Sequence, residues 1–408
     1  MQLKRKEILI ISMLIIGSFA IPKFTYRAKA DVALTIYTYE SLLADPGYDF
    51  VGNFSAYAGV DRNSIKLVLL PDANSIVSKA ALEKDNPEAD VLIGIDNVLI
   101  HKAKEEEILE PYESPELANI STDLITNLDS QYYVLPYDYG IISLWYDSHR
   151  INESTLPQIN SLTLDQLLSL GMTKKLVVED PTLSSTGLGF LLWTIAVYGD
   201  PKINFDGLLC KDWHDWWRQA APDLRIAPSW GAAFDIWYET SENRPIMISY
   251  GTSPAYGACL YNDTSAKAVL THEKNKANAW LQIEGIGLVK NAHHKELAKK
   301  FIDWFLSKDL QDHIACNNWM YPANIYAEVP PCFAKAAIDP STVNILNNIL
   351  TPEMIKANLD QWLDDWESAI ATEKASFVNI MIVSLALFTV GAMTILLKKN
   401  KKIKTRRA

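Results

Sequence analysis

The 408-residue sequence is short of the arrangements that carry most enzyme chemistry. It holds no Cys–His nucleophile pattern, no H-E-x-x-H and no G-x-S-x-G, and Gly251-Thr252-Ser253-Pro254-Ala255 lacks the second glycine of a nucleophile elbow. No lysine follows Gly187-Leu188-Gly189 in the order a phosphate-cradling loop requires. An enzyme is therefore not expected, and neither is a cofactor. The four cysteines, Cys210, Cys259, Cys316 and Cys332, match no zinc spacing, and in a disulfide-permissive compartment they leave three pairings open if all are bridged. Adjacent His293 and His294 cannot share a helix face, which argues against a metal site. Internal repeats and low-complexity tethers are also missing. No basic stripe runs through the chain, whose net charge is -11 even though both ends are rich in Lys and Arg. The part between those ends is strongly acidic, so nucleic acid is excluded as a partner. A cationic ligand suits such a field, and so does plain colloidal solubility.

What is present begins with the ends. Lys4-Arg5-Lys6, an apolar run over 8–21 and Ala28-Lys29-Ala30 have the form of a secretory signal cleaved after Ala30. Residues 377–397 are 21 positions without a charge, long enough at 1.5 Å per residue to cross a bilayer core of about 30 Å. Seven Lys or Arg follow within 398–408. These features lead to the expectation of a single-pass cell-membrane protein with residues 31–376 outside and a cytoplasmic tail. A stretch of that length exceeds one small core and suits two lobes.

Strand-like apolar runs (34–39, 65–70, 91–95, 132–135, 141–146, 175–179 and 247–250) alternate with amphipathic helical stretches at 74–83, 161–170, 296–306 and 351–371. This alternation predicts an α/β protein. The prolines of 330–343 predict an irregular crossing. Trp193, Trp216, Trp217, Trp304, Trp362 and Trp366 fall at helical spacing and read as core.

Three groups of residues suit a ligand. The run 246–256 reads as a strand ending in a small-residue turn bracketed by Tyr250 and Tyr256, with Gly251, Thr252 and Ser253 between them. Residues 179–189 lead from a strand into a helix over 190–198 whose start carries Ser184, Ser185 and Thr186, where N-capping and anion binding both stand as readings. Trp230, Trp319 and Tyr39 lie at ends of elements, where aromatic faces can clamp a planar or cationic ligand. Asp72, Asp96 and Asp138 are carboxylates near these elements, Asp96 reading best as a turn residue.

In order along the chain, Leu34-Thr-Ile-Tyr-Thr-Tyr-Glu-Ser41, Ala89-Asp-Val-Leu-Ile-Gly-Ile-Asp-Asn97, Pro136-Tyr-Asp-Tyr-Gly140, Gly187-Leu-Gly189 with Trp193, Ser249-Tyr-Gly-Thr-Ser-Pro-Ala-Tyr256 and Asn318-Trp-Met-Tyr-Pro322 resemble the signatures of the thiamine-binding substrate-binding proteins of ABC importers. That resemblance implies a two-lobed type II periplasmic-binding-protein fold with an interlobe ligand cleft. On it, lobe 1 comprises 31–136 and 251–345, lobe 2 comprises 137–250, and a helical segment covers 346–376. It also implies ligand contacts at Asp72, Ala73, Ser184, Ser185, Trp230, Tyr250, Gly251, Thr252 and Ser253, with Tyr39, Tyr256 and Trp319 as additional candidates. Ala73 stands where the family usually has Gly, and Ser185 and Gly251 replace Thr. The implied partners are thiamine or its phosphates, an ABC permease and its ATPase, with the binder a monomer. Alternatives of the same fold class are a ferric-ion site using Tyr132-Tyr133 or a polyamine site. From another class, the alternative is an extracellular hydrolase of thiamine phosphates.

Overall fold

The computed structural model describes residues 32–371 apart from 45, 153, 157 and 240. The expected leader (1–30), apolar run (377–397) and tail (398–408) lie outside the described residues. Ten strands build most of the sheet: β1 (Leu34–Tyr39), β2 (Ile65–Leu70), β3 (Val91–Asp96), β4 (Leu109–Glu110), β5 (Leu135–Asp147), β6 (Leu176–Glu179), β7 (Arg225–Ala227), β8 (Ile246–Tyr250), β9 (Ala266–Val269) and β10 (Asn278–Val289). β1, β3 and β6 are apolar runs buried on both faces, the pattern of strands covered by helices on each side. The main path runs β2-β1-β3-β10-β5-β8-β6-β7.

β5 and β10 decide the architecture. β10 runs antiparallel to β3 over Glu284–Leu288 and to β5 over Trp280–Ile286, while the far half of β5 takes β8 and β9 as antiparallel partners. One half of the sheet, β2-β1-β3, therefore meets the other, β8-β6-β7, only through these two long strands. β5 joins what the sequence predicts as two separate strand runs, 132–135 and 141–146, into one strand. Pro136 is tolerated because the β5–β10 register shifts between Glu284 and Gly285, and a proline at such a bulge forfeits no ladder bond. Tyr132, expected in a strand, instead takes a left-handed φ of 62° in the preceding turn. β10 was not foreseen, since Gln282 and Glu284 interrupt its apolar pattern.

The tryptophans read as core are core: Trp193, Trp216, Trp217, Trp304, Trp362 and Trp366 are all buried. The last two sit on the helix over 352–371, which packs on the β8-β6-β7 half, Trp366 meeting Trp217 edge-on at 5.7 Å and Trp362 Nε1 donating to Asp200 Oδ2 at 2.7 Å. The crossing 330–343 is less irregular than expected. It contains the helix Pro331–Ala336, which a Cys259–Cys332 disulfide ties to the helix Pro254–Leu260, while Cys210 and Cys316 are free. Among the described residues no helix is long and apolar enough to cross a membrane.

Candidate ligand-binding site

Where the two halves of the sheet face each other, a cavity of about 430 Å³ opens. Its lining brings together Tyr39, Asp72, Ala73, Ser184, Ser185, Trp230, Tyr250, Ser253, Tyr256 and Trp319, which are widely separated in the chain. Two of the predicted residues are not in the lining. Thr252 is fully buried with its Oγ1 toward Met320 Sδ at 3.7 Å, and a Cβ on Gly251 would meet Ile141 Cγ1 at 2.9 Å, so both support the wall from behind.

One wall is an aromatic ladder. Ser229 caps the helix Trp230–Tyr238 by accepting from Ala232 N, which sets Trp230 at the helix start. Trp230 stacks on Phe234 at 5.5 Å, Phe234 on Trp145 at 5.9 Å and Trp145 on Trp237 at 4.1 Å. Trp230 Nε1 donates to Ser249 Oγ at 2.9 Å, and Ser249 Oγ lies 2.7 Å from Ser253 Oγ. Trp145 Nε1 is buried without a partner although the residue lines the cavity. Opposite, Trp319 holds a left-handed φ of 57° and meets Tyr256 edge-on at 5.2 Å. Such a conformation is strained for a bulky residue and recurs where structure serves a site.

Hydroxyls gather at the start of the helix Ser185–Tyr198. Ser184 occupies the N-cap position, yet its hydroxyl makes no capping bond and pairs instead with Thr186 Oγ1 at 2.9 Å. Ser185 Oγ is buried and acts on the Asp96 carboxyl, which it helps hold down against burial. The first amides of a helix also lack intrahelical partners and carry partial positive charge. Across the cavity Asp72 caps the helix Ala73–Leu82 through Ser75 N at 2.9 Å, and Asn74 Nδ2 reaches Thr182 O at 2.7 Å, linking the two sides. Burial pushes the Asp72 carboxyl up, against the pull of the Ser75 and Asn74 amides.

The floor was largely missed. Glu284 lines the cavity and is held by Tyr39 Oη at 2.8 Å, Tyr137 Oη at 2.7 Å, Gln282 Nε2 at 2.9 Å and Tyr250 Oη at 3.3 Å. Asn318 Nδ2 donates to Asp138 Oδ2 at 2.6 Å and to Tyr39 Oη at 3.1 Å. Gly94, at φ 106°, leaves room for Tyr39, whose ring a Cβ there would meet at 2.6 Å. Burial, and then their mutual repulsion, holds Asp138 well above the usual carboxylate range, and burial raises Glu284 as well. Glu284 could have been noticed as a carboxylate inside an otherwise apolar run. Asp96 behaves as read, its Oδ1 accepting from Val98 N and Leu99 N at 2.8 Å. The lining contains acidic residues but no Lys, Arg or His. Tyr132 and Tyr133 are not in it, and Lys104 Nζ lies 5.0 Å from the Tyr133 ring centre. Among the described residues no cluster of His, Cys, Asp and Glu is arranged to hold a metal ion.

Residues 63–312 match the family model described as bacterial extracellular solute-binding protein. The chain belongs to this family. It is similar to the thiamine-binding periplasmic proteins of Salmonella typhimurium (28% identical over 346 residues, covering 84% of this chain and 95% of the relative) and Escherichia coli (28% over 345 residues, 84% and 94%). Its fold is similar to that of a solved periplasmic thiamin binding protein, with a TM-score of 0.68 at 26% identity over 83% of this chain and 96% of that one. A ferric binding protein from Campylobacter jejuni has the same fold at a TM-score of 0.61 and 17% identity over 82% and 99%. The architecture is thus the two-lobed periplasmic-binding-protein type, as expected.

The expected location needs correction. The relatives are described as periplasmic binding proteins, and no described helix could span a membrane. The single-pass membrane protein read from the apolar run at 377–397 is not carried forward.

Proposed function

We propose that this protein is a substrate-binding protein that captures thiamine, or a thiamine phosphate, and delivers it to an ABC permease. One observation carries the reading: the cavity joins stacked aromatic rings to a buried carboxylate floor and contains no basic side chain. Thiamine is a flat aminopyrimidine joined to a permanently cationic thiazolium with a hydroxyethyl arm. Trp230, Tyr250, Tyr39, Tyr256 and Trp319 offer the faces, Asp72 and Ala73 the edge near the amino group, and Ser184, Ser185 and Ser253 the polar contacts for the arm or its phosphate. Gly251 and Thr252 shape the wall. β5 and β10, the strands common to both halves, would let the lobes close over the ligand. The similarity to thiamine-binding periplasmic proteins supports the choice of ligand.

Titrating the intrinsic tryptophan fluorescence with thiamine, its mono- and diphosphate, spermidine and ferric ion tests the proposal. Saturable quenching by thiamine or its phosphates at concentrations where spermidine and ferric ion are silent is the expected result. A folded protein that answers only to ferric ion or spermidine would favour the iron or polyamine alternative. Turnover of a thiamine phosphate would favour the hydrolase.

A further inference from the structure

β10 lies between β3 and β5, and the registers place Glu284 directly opposite Asp96 on one side and Asp138 on the other. Three carboxylates thus form one row across adjacent strands, each no more than 7% exposed. Like charges facing one another across a strand pair destabilise it, and burying them costs more. The groups acting most strongly on the three are amides, hydroxyls and one another, none of them basic. A fold that keeps such a row without an internal cation leaves a place for one from outside.

Resting on the thiamine reading, we infer that Glu284 is the counter-charge for the ligand's fixed positive charge and sets the preference of the cavity for a cation. Of the three carboxylates, Glu284 alone lines the cavity. Asp96 is turned to its own turn amides, and Asp138 is held by Asn318 with its other oxygen buried and unpartnered. The hydroxyls of Tyr39, Tyr137 and Tyr250 and the amide of Gln282 orient Glu284 without cancelling its charge. The other acidic groups of the lining are weaker candidates. Asp72 spends its charge on the N-terminus of the helix it caps, and Glu40 is exposed, where water and salt screen it. Trp145, whose Nε1 is buried without a partner, lines the same cavity.

The test compares thiamine with a neutral analogue in which thiophene replaces the thiazolium ring, by calorimetry on the full chain. Glu284→Gln keeps the shape and the acceptor for Tyr39 and Tyr137. Its affinity for thiamine should fall at least tenfold more than its affinity for the neutral analogue. Equal losses, or none, would overturn the inference and leave the thiamine reading intact. If the variant does not fold, the wild type decides. The groups facing Glu284 are Tyr39 from β1, Asp96 from β3, Tyr137 and Asp138 from β5, and Tyr250 from β8, and burial raises its carboxyl, so acid neutralises it at milder pH than usual. The thiamine-to-analogue affinity ratio should then be several-fold smaller at pH 4 than at pH 8, the shared aminopyrimidine cancelling. An unchanged ratio would overturn the inference. A folded wild type that binds neither compound would overturn the thiamine reading and this inference with it.

Discussion

Replacing Trp230 by alanine should separate affinity from stability. Trp230 is half-buried, stacked on one neighbour, Phe234, and tied to Ser249. Removing it takes away a ligand-facing ring, where cation–π attraction contributes about 0.5 to 2 kcal/mol. It also frees Ser249 and Ser253 from a network in which each hydrogen bond contributes about 0.5 to 1.5 kcal/mol. A loss of about 1.4 to 2.8 kcal/mol in binding is expected, which is about ten- to a hundredfold in Kd. Trp304→Ala is the contrast. That ring is 5% exposed, lies 5.5 Å from Phe54 and 6.0 Å from Phe301, and is not in the cavity lining. Truncating so buried an aromatic costs about 3 to 5 kcal/mol of stability, while affinity should stay within about twofold. Calorimetry with thiamine and urea unfolding on both variants make the comparison. A folded Trp230→Ala protein that binds like the wild type would refute the placement of the ligand against the ladder.

Other outcomes follow from the same geometry. Ser184→Ala and Ser185→Ala should weaken a thiamine phosphate more than thiamine, because bonds to a charged acceptor are worth about 1.5 to 3 kcal/mol against about 0.5 to 1.5 for neutral ones; equal losses in parallel titrations would reduce both serines to local structure. Cys332→Ser opens a link between residues 73 positions apart, for which chain entropy gives about 4 kcal/mol, so chemical unfolding should shift by most of that amount, and an unshifted midpoint would argue against the pairing. Asp138 is raised in the native state, so its bound proton contributes stability that is complete below about pH 4, where an unfolded aspartate titrates, and is lost as pH rises toward the native value. Asp138→Asn should therefore gain on the wild type between pH 5 and pH 8 in unfolding experiments, and a constant difference would show that Asp138 is not a buried strained carboxyl.

How legible the site was depended on what kind of residue built it. Trp230, Tyr250 and Ser184 stood out because aromatic or hydroxyl side chains at the ends of apolar runs break a local pattern. Glu284 and Gln282 did not, because a polar residue inside a run reads as a weak strand until a neighbouring strand explains it. The expected runs 132–135 and 141–146 proved to be one strand for a similar reason, since the register shift at Gly285, opposite Pro136, is a property of the pair and not of either strand.

Local chemistry along the chain settled the alternation of strands and helices, the caps such as Asp72 and Ser229, and the buried tryptophans, because propensity, capping and hydrophobic period act over a few residues. Tertiary structure alone decided that β10 enters between β3 and β5, and with that which carboxylates stand in one row, which tyrosines surround Glu284, and that Cys259 pairs with Cys332. These contacts join residues 34 to 245 positions apart along the chain, the extremes being Tyr250 and Tyr39, each with Glu284. Nothing in a short window of sequence encodes such pairings, since they follow from the register of strands that meet only once the whole sheet has formed.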